Sequence, residues 1–190
     1  MIESKMVILD ELLRLPGNPK GHAVPDIRDS MGRFGFLERI VVNRVTGHVL
    51  SGHGRAEALA GMRADGKEPP GNIEVGEGGA WLVPVDFVGV EERDEGAAAI
   101  ALNRLVEKGG WDDVALAAAL SRMVAEGGDE SLAGTGYDRN DVDAITAAAA
   151  LIAGASECPS PPSDFAILDD DMPTEYRCPK CGYEWRGKAS

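Results

Sequence analysis

Cysteine is scarce in this chain, with three residues among 190, and Cys158, Cys178 and Cys181 all fall in the last fifth. An odd, clustered count of this kind excludes a disulfide scaffold. Long apolar runs are also missing, so no segment reaches membrane-spanning length. The opening Met-Ile-Glu-Ser-Lys lacks a basic region followed by an apolar core, and the expected location is cytoplasmic, the host cytoplasm if the chain is phage-encoded. Positive charge is short as well: 19 basic residues face 32 acidic ones, a net charge of −13. Nonspecific nucleic-acid coating works by neutralising phosphates with Lys and Arg, so this balance speaks against it.

The deficit is uneven. Residues 1–65 carry nine basic and eight acidic side chains, whereas residues 66–155 carry six and seventeen. A local phosphate site in the first third is compatible with that distribution, and a long nucleic-acid track is not supported. The acidic middle segment fits a protein partner better than a DNA grip. Hydrophobic content of 44% and charged content of 27% are those of an ordinary globular chain, long enough for one proper core plus extensions.

The most informative stretch is Ser51-Gly52-His53-Gly54-Arg55-Ala56-Glu57-Ala58. It follows a β-branched run, Arg39-Ile40-Val41-Val42-Asn43-Arg44, a Thr46-Gly47 turn and a short strand Val49-Leu50-Ser51, and it opens a helix expected from about Arg55 to Asp65. Two glycines allow a ligand to approach the backbone, and the N–H groups of a new helix point outward beside Arg55. Arg55 is the expected anion clamp, because a positive charge at a helix start opposes the dipole and calls for a compensating anion. His53 is a candidate donor or acid/base group, against the alternative that it hydrogen-bonds to backbone and shapes the corner. His22 is a second candidate on the turn-rich loop 15–22. Glu57, Asp26 and Asp29 are weighed as Mg²⁺ ligands or bases, although acids at helix starts also serve the dipole.

Elsewhere, a first strand is expected at residues 6–9, a helix after Pro25 up to Gly35, and a loop over residues 66–79. A strand follows at residues 80–88, bulged or at a sheet edge around Pro84. Helices are expected over residues 91–108, 112–126 with Asp112 as cap, and 140–152 with Asn140 or Asp141 as cap. Residues 154–173 read as a linker. Cys178-Pro179-Lys180-Cys181-Gly182 reads as a zinc knuckle, since two thiolates on a tight turn can grip one tetrahedral ion. Only two of four ligands are local; Cys158, a second chain or a partner would have to complete the set.

Taken together, Asn18-Pro19 with His22, Phe34-Gly35-Phe36 before Ile40-Val41-Val42-Asn43, the Gly-His-Gly-Arg corner and Val83-Pro84-Val85 resemble the ParB/sulfiredoxin-like domain, in particular the short phage-type "ParB-like nuclease domain" proteins. The resemblance covers roughly residues 4–108. It implies an α+β domain at 1–108, followed by a helical extension at 109–153 and a small Cys-knuckle tail at 174–190. It further implies that Gly52, His53, Gly54, Arg55, Ala56, Glu57, Asn103 and Arg104 hold nucleotide phosphates, with Mg²⁺ as a possible companion. His53 stands where sulfiredoxin has its catalytic cysteine, which argues against thiol chemistry. Leu102-Asn103 matches the Glu-Asn pair of the partition clamps with the Glu lost. The expected function is nucleotide binding in phage or mobile-element DNA metabolism. Three activities stay open: a metal-assisted nuclease or NTPase using His53, Arg55 and His22; a non-catalytic nucleotide-sensing adaptor for a DNA-modifying or DNA-packaging protein; and a small-molecule kinase resembling free serine kinase. Homodimerisation and a protein partner, through the acidic helices or the cysteine tail, are also expected.

Overall fold

The computed structural model describes residues 2–155 and 176–185, which belong to two separate units, Met1–Ala155 and Ser156–Ser190. In the first unit β1 (Glu3–Ile8), β2 (Leu13–Arg14), β3 (Ile40–Asn43), β4 (His48–Ser51), β5 (Glu74–Val75) and β6 (Trp81–Val88) form one mixed sheet. The strand order is β1-β6-β3-β4-β2, with β5 also pairing β6. Helices α1 (Val24–Phe34) and α2 (His53–Ala64) pack on each other and on the sheet. The core between them holds Met31, Ile40, Val42, Val49, Leu59, Val83 and Val85. Burying each such side chain contributes about 1.5–3 kcal/mol, which makes this layer the main stabiliser of the corner it carries.

The alternation in β6 follows from its role: Trp81, Val83 and Val85 are buried while Leu82, Pro84 and Asp86 are less so. Although β6 runs through the interior of the sheet, Pro84 itself is paired on one side only, a local edge within the strand. On one side of β6 runs β1, in register from Glu3 with Phe87 to Ile8 with Leu82. The other side is shared between β5, at Trp81 and Leu82, and β3, from Val85 to Val88. Pro84 lies in the gap between those two partners, where a missing N–H costs the ladder nothing. Strand β5 falls within the stretch 66–79 that reads as a loop and β2 lies just ahead of the loop 15–22; each is two residues long, too short for an alternating pattern to register.

Helix α3 (Glu95–Gly109) crosses toward the corner, and α4 (Asp113–Gly127) and α5 (Arg139–Ala155) pair around a smaller cluster of Leu120, Leu132 and Val142. Asp112 caps α4 as its sequence position predicts, accepting from Ala115 N at 2.9 Å. At α5 the cap is Asp138 rather than Asn140 or Asp141. Asp138 accepts from Asp141 N and Asp141 accepts from Asp138 N, both at 2.9 Å, a reciprocal box that starts the helix one residue earlier. Arg33 ties this helical pair to α1 by donating to the carbonyls of Ser131 and Ala133 at 2.7 and 2.6 Å. Among the described residues, no helix is long and apolar enough to cross a membrane.

In the second unit, β7 (Tyr176–Arg177) and β8 (Glu184–Trp185) form a hairpin with Cys178 and Cys181 in its turn. Helix α5 runs two residues into the expected linker 154–173, and the rest of that linker, with Cys158, lies outside the described residues.

Candidate functional site

The corner forms because Gly52 takes a left-handed conformation, φ 101° and ψ 13°, which lets β4 run directly into α2. A Cβ there would stand 3.0 Å from Ile40 Cγ1, and one on Gly54 would stand 2.9 Å from Ile27 Cδ1 and 3.0 Å from His22 Cβ. The helix begins at His53, two residues before the position expected from sequence, because the glycine itself supplies the cap position. The first helical bond is Ala56 N to Gly52 O, 2.9 Å. The N–H groups of His53, Gly54 and Arg55 therefore precede the helical ladder, while those of Ala56 and Glu57 are spent inside it. Ala56 and Glu57, which the resemblance places among the phosphate-holding residues, therefore have no free backbone donor.

A cavity of ≈ 340 Å³ opens over those free N–H groups. Ser51, Gly52, His53, Gly54 and Arg55 form its floor; Asn18, Lys20 and His22 come from the loop before α1; Leu102, Asn103, Val106 and Glu107 come from α3, and Glu38 from the segment before β3. The sheet and α3 thus bring together residues more than eighty positions apart in sequence. Of the residues expected at the site, Gly52, His53, Gly54, Arg55, His22 and Asn103 line this cavity. Ala56 and Glu57 do not; they line a second hollow beside Leu9, Arg14 and Val49. Arg104 also stays outside, 3.5 Å from Glu107 Oε2. Asp26 and Asp29 face a different hollow, near Asp138 and Asp141.

Arg55 is largely buried for a cation, its side chain 19% exposed. One Nη is ion-paired with Glu38, the other donates weakly to Arg39 O at 3.4 Å, and Nε has no partner. Burial pushes the guanidinium below its ordinary value, which marks the cost of keeping this charge away from water. The anion that a cation at a helix start calls for is here a carboxylate, Glu38, itself 73% exposed. The second cation of the cavity, Lys20, is ion-paired with Glu107. Neither Lys20, Glu38 nor Glu107 stood out in the sequence, because each is an ordinary surface residue until the fold places it opposite its partner.

His53 is buried at 6% exposure, and its Nε2 accepts from Leu15 N at 3.3 Å. Burial lowers its pKa, reinforced by the nearby His22 and Arg14. Through the Leu15 bond the ring ties the loop after β2 to the start of α2. His22 stacks on it, 6.2 Å between ring centres at 14°, and lies 3.9 Å from Glu57 Oε2, which Arg14 also holds at 2.8 Å. Asn103 donates its amide to Ala99 O at 2.9 Å. Among the described residues, no three His, Cys, Asp or Glu side chains converge on a metal position.

The placement of α3 rests on a buried polar network not apparent in the sequence. Glu95, at the first turn of α3, accepts from Asn43 Nδ2 at 3.0 Å, from Thr46 Oγ1, and from His48 Nδ1 at 3.0 Å. Asn43 is fully buried, and its Oδ1 accepts from Val45 N and Val90 N, both at 3.2 Å. Burial works against ionising Glu95, but the hydrogen bonds from Thr46, His48 and Asn43 outweigh it and hold the carboxyl below its ordinary range.

In the tail hairpin, Cys178 N donates to Tyr183 O at 2.6 Å and Gly182 N donates to Cys178 O at 2.9 Å. Hydrogen bonds from the backbone of Cys181 and Lys180 and from the Cys181 side chain push the Cys178 thiol down.

No family model and no curated protein matches the chain. Among solved structures, it is similar to the C-terminally truncated chromosome-partitioning protein ParB from Caulobacter crescentus complexed with CTP-γ-S, with a TM-score of 0.54, 20% identity, and coverage of 80% of this chain and 79% of that one. It also aligns with a Pnob8-like ParB-N domain, at a TM-score of 0.40 and 13% identity over 90% of this chain and 55% of the other. The first likeness establishes a ParB-like α+β fold.

Proposed function

We propose that this protein binds a nucleotide through its phosphates at the Gly52–Arg55 corner. The observation that carries the reading is Arg55: a buried guanidinium with an unpartnered Nε, beside three helix-start N–H groups that no carbonyl satisfies. Buried donors of this kind are stabilised by an anion, and a phosphate offers enough oxygens to meet several at once. The ParB of similar fold was crystallised with CTP-γ-S, which makes CTP the first nucleotide to test. Lys20 supplies a second positive charge across the cavity for a further phosphate.

Binding is favoured over hydrolysis by the state of His53. Its Nε2 is already engaged as the acceptor of Leu15 N, which makes the ring an anchor of the corner. Mg²⁺, if it accompanies the nucleotide, takes most of its ligands from phosphate oxygens and water, because the cavity's two carboxylates are already paired with cations. Asn103 is the neutral side chain available to it. The reading of a nucleotide-sensing adaptor follows, with the acidic segment 66–155 as its protein-facing part and DNA metabolism as the setting that the sequence resemblance suggests.

The test is a thermal-shift series with CTP, the other ribonucleoside triphosphates and inorganic triphosphate, with and without Mg²⁺. A ligand at a hundred times its Kd stabilises the folded state by about 2.7 kcal/mol. The shift is expected for at least one nucleotide and lost in Arg55→Ala; a shift of the same size in Arg55→Ala rejects the site.

A further inference from the structure

The cysteine hairpin belongs to the second unit of the chain, and what it can hold is independent of the nucleotide reading. Its turn has the form that structural zinc sites use: Cys178 and Cys181 with two residues between them, in a turn closed by backbone bonds at 2.6 and 2.9 Å. Both thiols are free, one half-buried and one exposed. A structural zinc site is closed by four ligands, and no third His, Cys, Asp or Glu joins the pair among the described residues.

The sequence limits how the remaining ligands are found. The chain has three cysteines, so one copy cannot supply all four thiolates of an all-sulfur site, whereas two copies contribute two each from identical turns. The three histidines, His22, His48 and His53, all lie in the first unit, and His48 and His53 are committed to Glu95 and Leu15. A two-fold axis through the metal satisfies the site with self-complementary partners. We propose that Cys178 and Cys181 form half of a zinc site completed by the same two residues of a second copy. Each of the four Zn–S bonds forms as a thiol gives its proton to solvent, and the metal thereby links two chains through their tails.

The experiment uses the whole 190-residue chain, stripped of metal and titrated with Zn²⁺ alone, followed by metal analysis, sedimentation and X-ray absorption. Expected are one zinc per two chains, a dimer at that ratio, and four sulfur ligands at about 2.3 Å. Cys158→Ser should leave all three readouts unchanged, and Cys178→Ser should abolish zinc retention. One zinc per chain, fewer than four sulfurs, loss of zinc in Cys158→Ser, or no bound zinc would each overturn the proposal. Nucleotide binding, read separately by thermal shift, does not depend on the outcome.

Discussion

Arg55 meets an internal anion before it meets any ligand, and this makes a quantitative prediction about Glu38. A phosphate that takes the guanidinium must displace the Glu38 carboxylate. That pair is only partly shielded, since the Glu38 side chain is 73% exposed, and exposed ion pairs contribute about 0–1 kcal/mol. Glu38→Gln removes the competing charge while keeping the size of the side chain. Affinity for a nucleoside triphosphate should then rise, by up to about fivefold, as 1.4 kcal/mol is a factor of ten. Arg55→Ala should have the opposite and larger effect, since hydrogen bonds to charged groups contribute about 1.5–3 kcal/mol, or roughly a 10- to 150-fold loss. Titration calorimetry at two salt concentrations measures both. The gain from Glu38→Gln should shrink at high salt, where the competing pair is already screened. Unchanged or weaker binding in Glu38→Gln, alongside weakened binding in Arg55→Ala, would refute the idea that the ligand anion and Glu38 compete for the same cation.

Gly52→Ala forces a side chain into a left-handed conformation and against Ile40, so it should lower stability by at least about 1–2 kcal/mol, visible as a reduced urea midpoint. Glu95→Ala strands the donors of Asn43, Thr46 and His48 and should cost about 3 kcal/mol, with nucleotide affinity falling as well because α3 loses its anchor. Since the folded pKa of Glu95 is depressed, its contribution is present above the unfolded value of about 4.3 and disappears as pH falls through the folded one; Glu95→Gln should flatten the acid limb of the stability profile, and an unaltered limb counts against the network. His53 also has a depressed folded pKa, so the unfolded chain binds more protons there. Its contribution is full above about pH 6.5 and is lost as pH drops through the folded value, a dependence that His53→Gln should remove from denaturant titrations at about pH 5–8.

The glycine corner between β4 and α2 was legible from the sequence because its determinants are local. A glycine between a short strand and an alanine-rich helix allows the left-handed turn seen at Gly52, and the N–H groups of a helix's first turn lack intrahelical partners by helix geometry alone. The same holds for the Asp112 cap and for the hydrophobic strands β3 and β6. The acid/base role weighed for His53 could not be settled that way. Its anchoring depends on Leu15, thirty-eight residues earlier, and on burial that no single-residue property reports.

What tertiary structure alone decided is which charges face one another. Glu38 and Glu107 read as solvated surface acids, yet folding pairs them with cations seventeen and eighty-seven residues away, Arg55 and Lys20, so that both cations of the cavity already face carboxylates. Pro84 is similar: its ring forbids a ladder bond, but only the sharing of β6 between β5 and β3 provides a place where none is needed. Backbone conformation is encoded within a few residues, so the chain by itself fixed the corner. Electrostatic partners are chosen by topology over the whole domain, and that choice decided what the corner must exchange in order to bind.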